Sequence, residues 1–335
     1  MNCVPVTRRD FLHITAAVAL AEAASASPVE TVNGPIPASQ LGVTLMHEHL
    51  MVDFIGADQV SPSRYNSSEV FQAALPKLKA LRHRGCGALV ECTPAYLGRD
   101  PDLLRRLSEA SGLHILTNTG YYGAGNGKYL PKHAITETAE QLAARWIAER
   151  RNGIHSTRIR PAFLKIGVNA GKLSEVDAKL IRAAAICHAA TGLRIHVHTG
   201  DGVAAQGIVE VLAKQTVHPS AYVWVHAQNE KNRGIHRQLA RAGAWLEFDG
   251  INPRSADQHA TAILDLAAAG LLTRVLISQD SGWYRVGEPG GGQFNGYTYI
   301  FDEFLPLLKK RGLTGRQLQT LTITNSAKVL TPAPV

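Results

Sequence analysis

Cysteine is scarce, four in 335 residues, and no two stand in Cys-x-x-Cys spacing. Cys86 and Cys92 flank one predicted strand, and extended chain holds residues six apart at about 20 Å, beyond disulfide reach. Cysteine usage therefore does not suggest a disulfide scaffold, and Cys86, Cys92 and Cys187 read as small buried residues. Past the N-terminus no uninterrupted apolar run approaches the ~18 residues of a membrane-crossing helix, so no stable membrane span is expected. Lys and Arg outnumber Asp and Glu by 35 to 27, for a net charge of +8. They are scattered and form no stripe with interleaved aromatics, so no nucleic-acid partner is expected. The glycines are not followed by Lys-Ser/Thr, which excludes a phosphate-binding loop of that kind. What is present, 45% hydrophobic and 19% charged residues, is the composition of a folded chain with a sizeable core.

The first 26 residues read as an address. Thr7-Arg8-Arg9-Asp10-Phe11-Leu12 resembles a twin-arginine export signal. A short apolar stretch (14–21) follows, and then Ala24-Ser25-Ala26, a small-x-small cleavage site. The expectations are a leader at 1–26, the twin-arginine export machinery as a partner, and a mature chain that is periplasmic or secreted.

No Pro/Ser-rich linker splits the remainder, so 27–335 is expected to form a single domain. Eight short apolar runs stand out at 43–46, 88–92, 114–117, 162–166, 193–197, 222–225, 245–248 and 274–278. Most are rich in Val, Ile and Leu, as suits strands buried on both faces. Between them lie segments of helical period. The stretch 68–83 carries a stripe of Val70, Ala74, Leu78 and Leu81, interrupted by Pro76. Asp100-Pro101 reads as a cap and first turn, with Gly112 as the stop. Helices are also expected at 175–190, 256–269, 299–310 and 315–330, and one at 136–151 inside a long insert (121–161). The Gly-rich stretch 287–296 reads either as a loop over the mouth or as a plain surface connection. Eight strand–helix units imply an α/β fold of the (β/α)8 TIM-barrel type.

Such barrels carry their chemistry at the C-terminal strand ends. Strand one ends in Met46-His47-Glu48-His49. Side chains alternate along a strand, so His47 and His49 share a face and Glu48 points away. Two histidines so placed can clamp one metal ion. Strand five ends in His196-Val197-His198-Thr199, strand six in Val225-His226 and strand eight in Ser278-Gln279-Asp280. Strand four carries Lys165 among Phe163, Leu164 and Ile166. A lysine inside an apolar strand is costly unless paired or neutral. Neutral, it can form a Schiff base or take up carbon dioxide as a carbamate. The surrounding histidines and aspartate favour the carbamate, a carboxylate on a long arm able to bridge two cations.

Taken together, His47-x-His49, Lys165, His198, His226 and Asp280 resemble the binuclear centre of the phosphotriesterase family, within the amidohydrolase superfamily. Gly98-Arg99-Asp100, Thr119-Gly120-Tyr121-Tyr122, Phe304-Leu305-Pro306 and Ile323-Thr324-Asn325 extend the resemblance over essentially the whole of 27–335. It implies a metal-dependent hydrolase with two divalent ions, zinc foremost. His47, His49 and Asp280 would hold one, and His198 and His226 the other. N6-carboxylysine at Lys165 and a hydroxide would bridge them. The hydroxide would attack an ester, lactone, amide or phosphoester centre of a small-molecule substrate, with Asp280 as catalytic proton acceptor. Tyr122 and Trp283 would contact substrate, and a homodimer is implied as well. His198 is preferred to His196 as the ligand because Thr199 follows it, and His196 lies one layer deeper. The chain departs from both familiar branches. Asn229 stands at one relay position, and Gly250 follows Asp249 where triesterases carry histidine and lactonases arginine. A Schiff-base lyase using Lys165 and a non-catalytic binding protein on the same barrel are the alternative readings.

Overall fold

A computed structural model of the chain describes residues 28–335. The twin-arginine motif, apolar stretch and cleavage site expected at 1–26 lie outside the described residues. An antiparallel hairpin, β1 (Val29–Thr31) with β2 (Gly34–Ile36), leads into the barrel. The barrel strands are β3 (Val43–Val52), β4 (Cys86–Glu91), β5 (His114–Leu116) with β6 (Asn118–Thr119), β7 (Phe163–Gly167), β8 (Ile195–His198), β9 (Tyr222–Val225), β10 (Trp245–Phe248) and β11 (Val275–Ile277). β5 and β6 are two halves of the third strand, separated by Thr117 alone. Every neighbouring pair among the barrel strands is parallel. Closure runs from the end of β11 to β3: the Asp280 N–H donates to the His47 carbonyl at 3.0 Å. The His47 N–H in turn donates to Ser278 Oγ at 2.9 Å. This is the expected (β/α)8 barrel.

Two apolar cores follow from strand alternation. Inside the barrel, Met46, Val90, Phe163, Val223, Trp245 and Leu276 pack together, plugged at the N-terminal end by Val29, Leu41 and Leu330. Outside, a larger layer of Val, Ile and Leu meets the helix stripes. The stripe Val70, Ala74, Leu78 and Leu81 is buried as its spacing predicts.

Several elements differ from the sequence expectation. β3 runs ten residues rather than four, because an unforeseen strand, β12 (Gly282–Arg285), pairs with its far half. Gly282 makes this pairing fit: a Cβ there would lie 1.8 Å from the His49 carbonyl oxygen. The helix Ser67–His83 passes through Pro76 unbroken. Pro76 is exposed, so the carbonyl it leaves without a donor can turn to water. The insert holds two helices, Lys132–Thr136 and Ala139–Asn152, because Thr138 and Gln141 form a capping box that restarts the chain. In the Gly-rich stretch, Phe294 packs edge-on against Tyr284 and Tyr297. That stretch lines no part of the mouth cavity and serves as a surface connection.

Arg99 ties the third strand to the insert. Its guanidinium grips Glu149 at 2.7 and 2.8 Å and donates to the Asn118 carbonyl at 2.7 Å. Its side chain is 1% exposed. Burial alone would raise the Glu149 carboxyl, yet Arg99 holds it below its ordinary value of 4.5. Replacing Arg99 by alanine strands a largely buried carboxylate, its side chain 22% exposed, and lowers unfolding free energy by about 2–4 kcal/mol, somewhat under the value for a fully buried pair. The sign of the pH dependence follows. With the folded pKa below the unfolded one, the unfolded chain binds more protons. The pair's contribution is therefore full above about pH 4.5 and lost as pH falls through the folded pKa. Urea melts at pH 7 and pH 4 should show a wild-type advantage that shrinks on acidification.

Candidate metal centre

His47 and His49 project from β3, Lys165 from β7 and His198 from the end of β8. His226 follows β9, and Asp280 follows β11. All six, with Tyr122 and Trp283, line one cavity of about 250 Å³ at the C-terminal mouth. Ring centroids lie 5.3 Å apart for His47 and His49, 5.1 Å for His47 and His226, and 4.4 Å for His198 and His226. Asp280 Oδ1 is 3.3 Å from His49 Nε2 and 3.7 Å from His47 Nε2. The expected ligands are thus brought together, and none lies elsewhere.

The outward nitrogens fix what the inward ones offer. Thr93 Oγ1 gives its hydrogen to the Met51 carbonyl at 3.0 Å, so it accepts from His49 Nδ1–H at 2.8 Å. His47 Nδ1–H donates to Glu247 Oε1 at 2.7 Å. His226 Nδ1–H donates to Asp249 Oδ1 at 2.5 Å, and its backbone N–H donates to Asp249 Oδ2. Each ring is therefore left with an Nε2 lone pair facing the cavity. His198 turns Nδ1 toward the Tyr122 hydroxyl at 3.0 Å.

Electrostatics favour neutral rings at His47, His49 and His198 and oppose neutrality at His226. Burial, with the Lys165 amine next, holds His47 well below its ordinary pKa. Burial, with His226 next, does the same for His198. His49 is lowered by burial against the opposing pull of Asp280. Burial also weighs against charge on His226, but the Asp249 carboxylate outweighs it and raises that group.

The donor set fits a metal. Asp280 Oδ1 is buried without a hydrogen-bond partner. It faces two imidazole lone pairs with no proton between them, and one donor atom each from His47, His49 and Asp280 falls within 4.8 Å of the others. Three acceptors converging out of water repel one another unless a cation sits among them. Lys165, 2% exposed, makes no hydrogen bond or ion pair among the described residues.

The support around these candidate ligands shows where sequence reading stopped short. Glu48 does point away from the cavity, and its role there is structural. It accepts from Ser278 Oγ at 2.7 Å, Gln279 N–H at 2.9 Å and Ser281 N–H at 2.8 Å, pinning the turn that carries Asp280. Burial pushes its carboxyl up to about 8 against those three donors. Glu247 escaped notice, although an acid inside the apolar run 245–248 was a visible signal. Thr93 gave no signal. Of the relay positions, Asn229 is exposed, and Gln228 donates to Asp249 Oδ1 at 2.6 Å.

Three of the seven non-glycine residues with left-handed φ among the described residues stand at the site. His226, Asp280 and Trp283 take left-handed φ of 64°, 50° and 74°, each costing on the order of 1–3 kcal/mol for a non-glycine residue. Trp283 lies tilted against His49, ring centroids 4.0 Å apart, and donates from Nε1 to the Asp280 carbonyl at 2.7 Å. It thereby walls the cavity and holds the backbone of Asp280. Tyr122 rests on Gly167, where a Cβ would fall 2.6 Å from its ring.

A parallel barrel with imidazole and carboxylate donors gathered at its C-terminal mouth defines a metal-dependent barrel hydrolase. The sequence model of the Phosphotriesterase family matches residues 27–330, and the chain belongs to that family. The phosphotriesterase homology protein of Escherichia coli (strain K12) is 27% identical over 291 residues, 86% of this chain and 97% of its own. The aryldialkylphosphatase of Saccharolobus solfataricus is 26% identical over 307 residues, covering 88% and 96%. A solved structure of a substituted PTE-like lactonase from Deinococcus radiodurans gives a TM-score of 0.81 at 28% identity, covering 90% of this chain and 99% of that one.

Proposed function

We propose that the chain hydrolyses a carboxyl ester, lactone or amide in preference to a phosphotriester. His47, His49 and Asp280 would hold one divalent ion, His198 and His226 the other, and Lys165, as N6-carboxylysine, would join the two. Zinc suits this mixture of imidazole and carboxylate, and manganese, cobalt or iron suits it too. When bound, such a pair of ions acidifies water and polarises an acyl or phosphoryl oxygen.

The chain's own residues do the rest. Asp280, whose Oδ1 lies at the centre of the donor cluster, takes the proton from the attacking water. Glu48 and Trp283 keep that carboxylate aimed. Trp283, Phe54 and Tyr129 form an aromatic wall that binds an apolar part of the substrate and excludes water. The Tyr122 hydroxyl stands beside His198 and orients the scissile group. Gly250 and the exposed Asn229 remove the polar relay of the triesterase branch, which is the reason for favouring an acyl centre.

The observation that carries this reading is the convergence of Nε2 lone pairs and the unpartnered Asp280 oxygen. The same lone pairs disfavour a Schiff-base lyase, which needs no metal, and a binding protein, which needs no aimed carboxylate. Metal analysis of the purified protein should find about two ions per chain, and mass or crystallographic analysis a carbamate on Lys165. Dialysis against a chelator should lower kcat/KM on a responsive lactone, aryl ester or N-acyl amide by at least about 10²-fold, and divalent ions should restore it. Activity that survives complete metal removal defeats the reading. Residues 1–26 are proposed to act as a twin-arginine leader on a single-domain chain destined for the periplasm or exterior. N-terminal sequencing of the exported protein tests this, and sedimentation tests the proposed homodimer.

A further inference from the structure

We infer that Glu247 is a positioning residue for the His47 half of the centre, with His196 behind it. The inference rests on the metal reading above.

Glu247 lies on β10, a strand that contributes no proposed ligand, and is fully buried. Its Oε1 accepts from His47 Nδ1–H at 2.7 Å. Its Oε2 has no hydrogen-bond partner, and neither has either ring nitrogen of His196, also fully buried. His196 Nδ1 lies 3.8 Å from Glu247 Oε2, within ion-pair reach and beyond hydrogen-bond length. His196 pairs in register with Lys165 across β7 and β8. Two residues on, Asp249 grips His226 from the same face of the chain. β10 and the residue that follows it thus hold one histidine from each proposed metal set, through one carboxylate apiece. Asp249 Oδ2 also stands 3.6 Å from His47 Nδ1, within ion-pair reach but beyond hydrogen-bond length, so the hydrogen bond on that nitrogen is Glu247's alone.

A carboxylate deep in the barrel with no Lys or Arg in ion-pair contact serves packing badly, since a methionine or leucine would fill the space without desolvating a charge. It serves a ligand well. It fixes the Nδ1–H tautomer of His47, aims Nε2 at Asp280 and His49, and raises that nitrogen's basicity.

The test is zinc titration of the full metal-free chain in competition with a chromophoric chelator, alongside thermal melts. Wild type should show two binding events. Glu247→Gln should weaken one by about 10–100-fold and leave the other within about twofold, with a metal-free melt no lower than that of wild type. Added to His226→Asn, it should weaken the one event that remains. Added to His47→Asn, it should change nothing further, because both then act on the same ion. Equal weakening of both events, or of neither, overturns the inference while leaving the metal reading intact. Failure of wild type to bind two ions overturns both. Should Glu247→Gln not fold, His196→Gln carries the same titration, with the same single event weakened in a folded protein and the same outcomes counting against it.

Discussion

Replacing Lys165 by methionine should abolish hydrolysis and at the same time strengthen the metal-free fold. The amine is buried in the barrel and makes no hydrogen bond or ion pair among the described residues. Holding it there costs desolvation, against which stands only Coulombic attraction from carboxylates such as Glu247, none of them within ion-pair distance. Methionine keeps most of the length and volume and removes the polar head, so unfolding free energy should rise by about 1–3 kcal/mol. Function should move the other way. Without a nitrogen to carry a carboxylate, the two proposed metal sets lose the group that joins them, and kcat/KM should fall by at least about 10³-fold. Denaturant melts of the metal-free proteins and kinetics of the metal-loaded ones read the two effects separately. A variant that keeps its activity removes Lys165 from the chemistry. One that is inactive and also unstable makes the lysine a structural element.

That opposition between stability and activity explains how much of the protein was legible in its sequence. The barrel was legible because strands buried on both faces leave apolar runs and helices on one face leave a stripe, patterns that local composition preserves. The proposed ligands were legible because each breaks its pattern: a lysine in Phe163–Gly167 and histidines where a strand should end. Glu247 broke the pattern in the same way and was passed over, since its meaning depends on His47, 200 residues away in sequence. β12 left too little trace. Its pairing to β3 is decided by a glycine's close approach to a distant carbonyl, and nothing in Gly282–Arg285 announces that neighbour. The supporting roles of Thr93 and Glu48 belong to the same kind, set by which backbone groups lack partners once the barrel has closed. The relay positions are a third case. Sequence registered Asn229 and Gly250 as departures, and only geometry shows Gln228 donating to Asp249.

The second large effect is expected at Asp280. Substitution by asparagine preserves shape and removes charge. In the metal-free chain Oδ1 confronts two imidazole lone pairs without a hydrogen between them. An amide group turned the same way can donate to His49 Nε2, so the repulsion becomes a hydrogen bond and the metal-free melt should rise. Catalysis should suffer twice. A neutral oxygen is a poorer ligand, so the His47 half should bind its ion more weakly. An amide also cannot accept the proton released by the attacking water. The two losses separate under saturating metal. With both ions bound, as verified by metal analysis, kcat should remain depressed by about 10²–10⁴-fold while KM moves little, because proton acceptance is needed in the transition state and not for substrate binding. Full recovery of kcat at high metal would make Asp280 a ligand only. The proton would then have to leave through another group on the cavity wall, and the Tyr122 hydroxyl, 3.0 Å from His198 Nδ1, would be the next residue to replace.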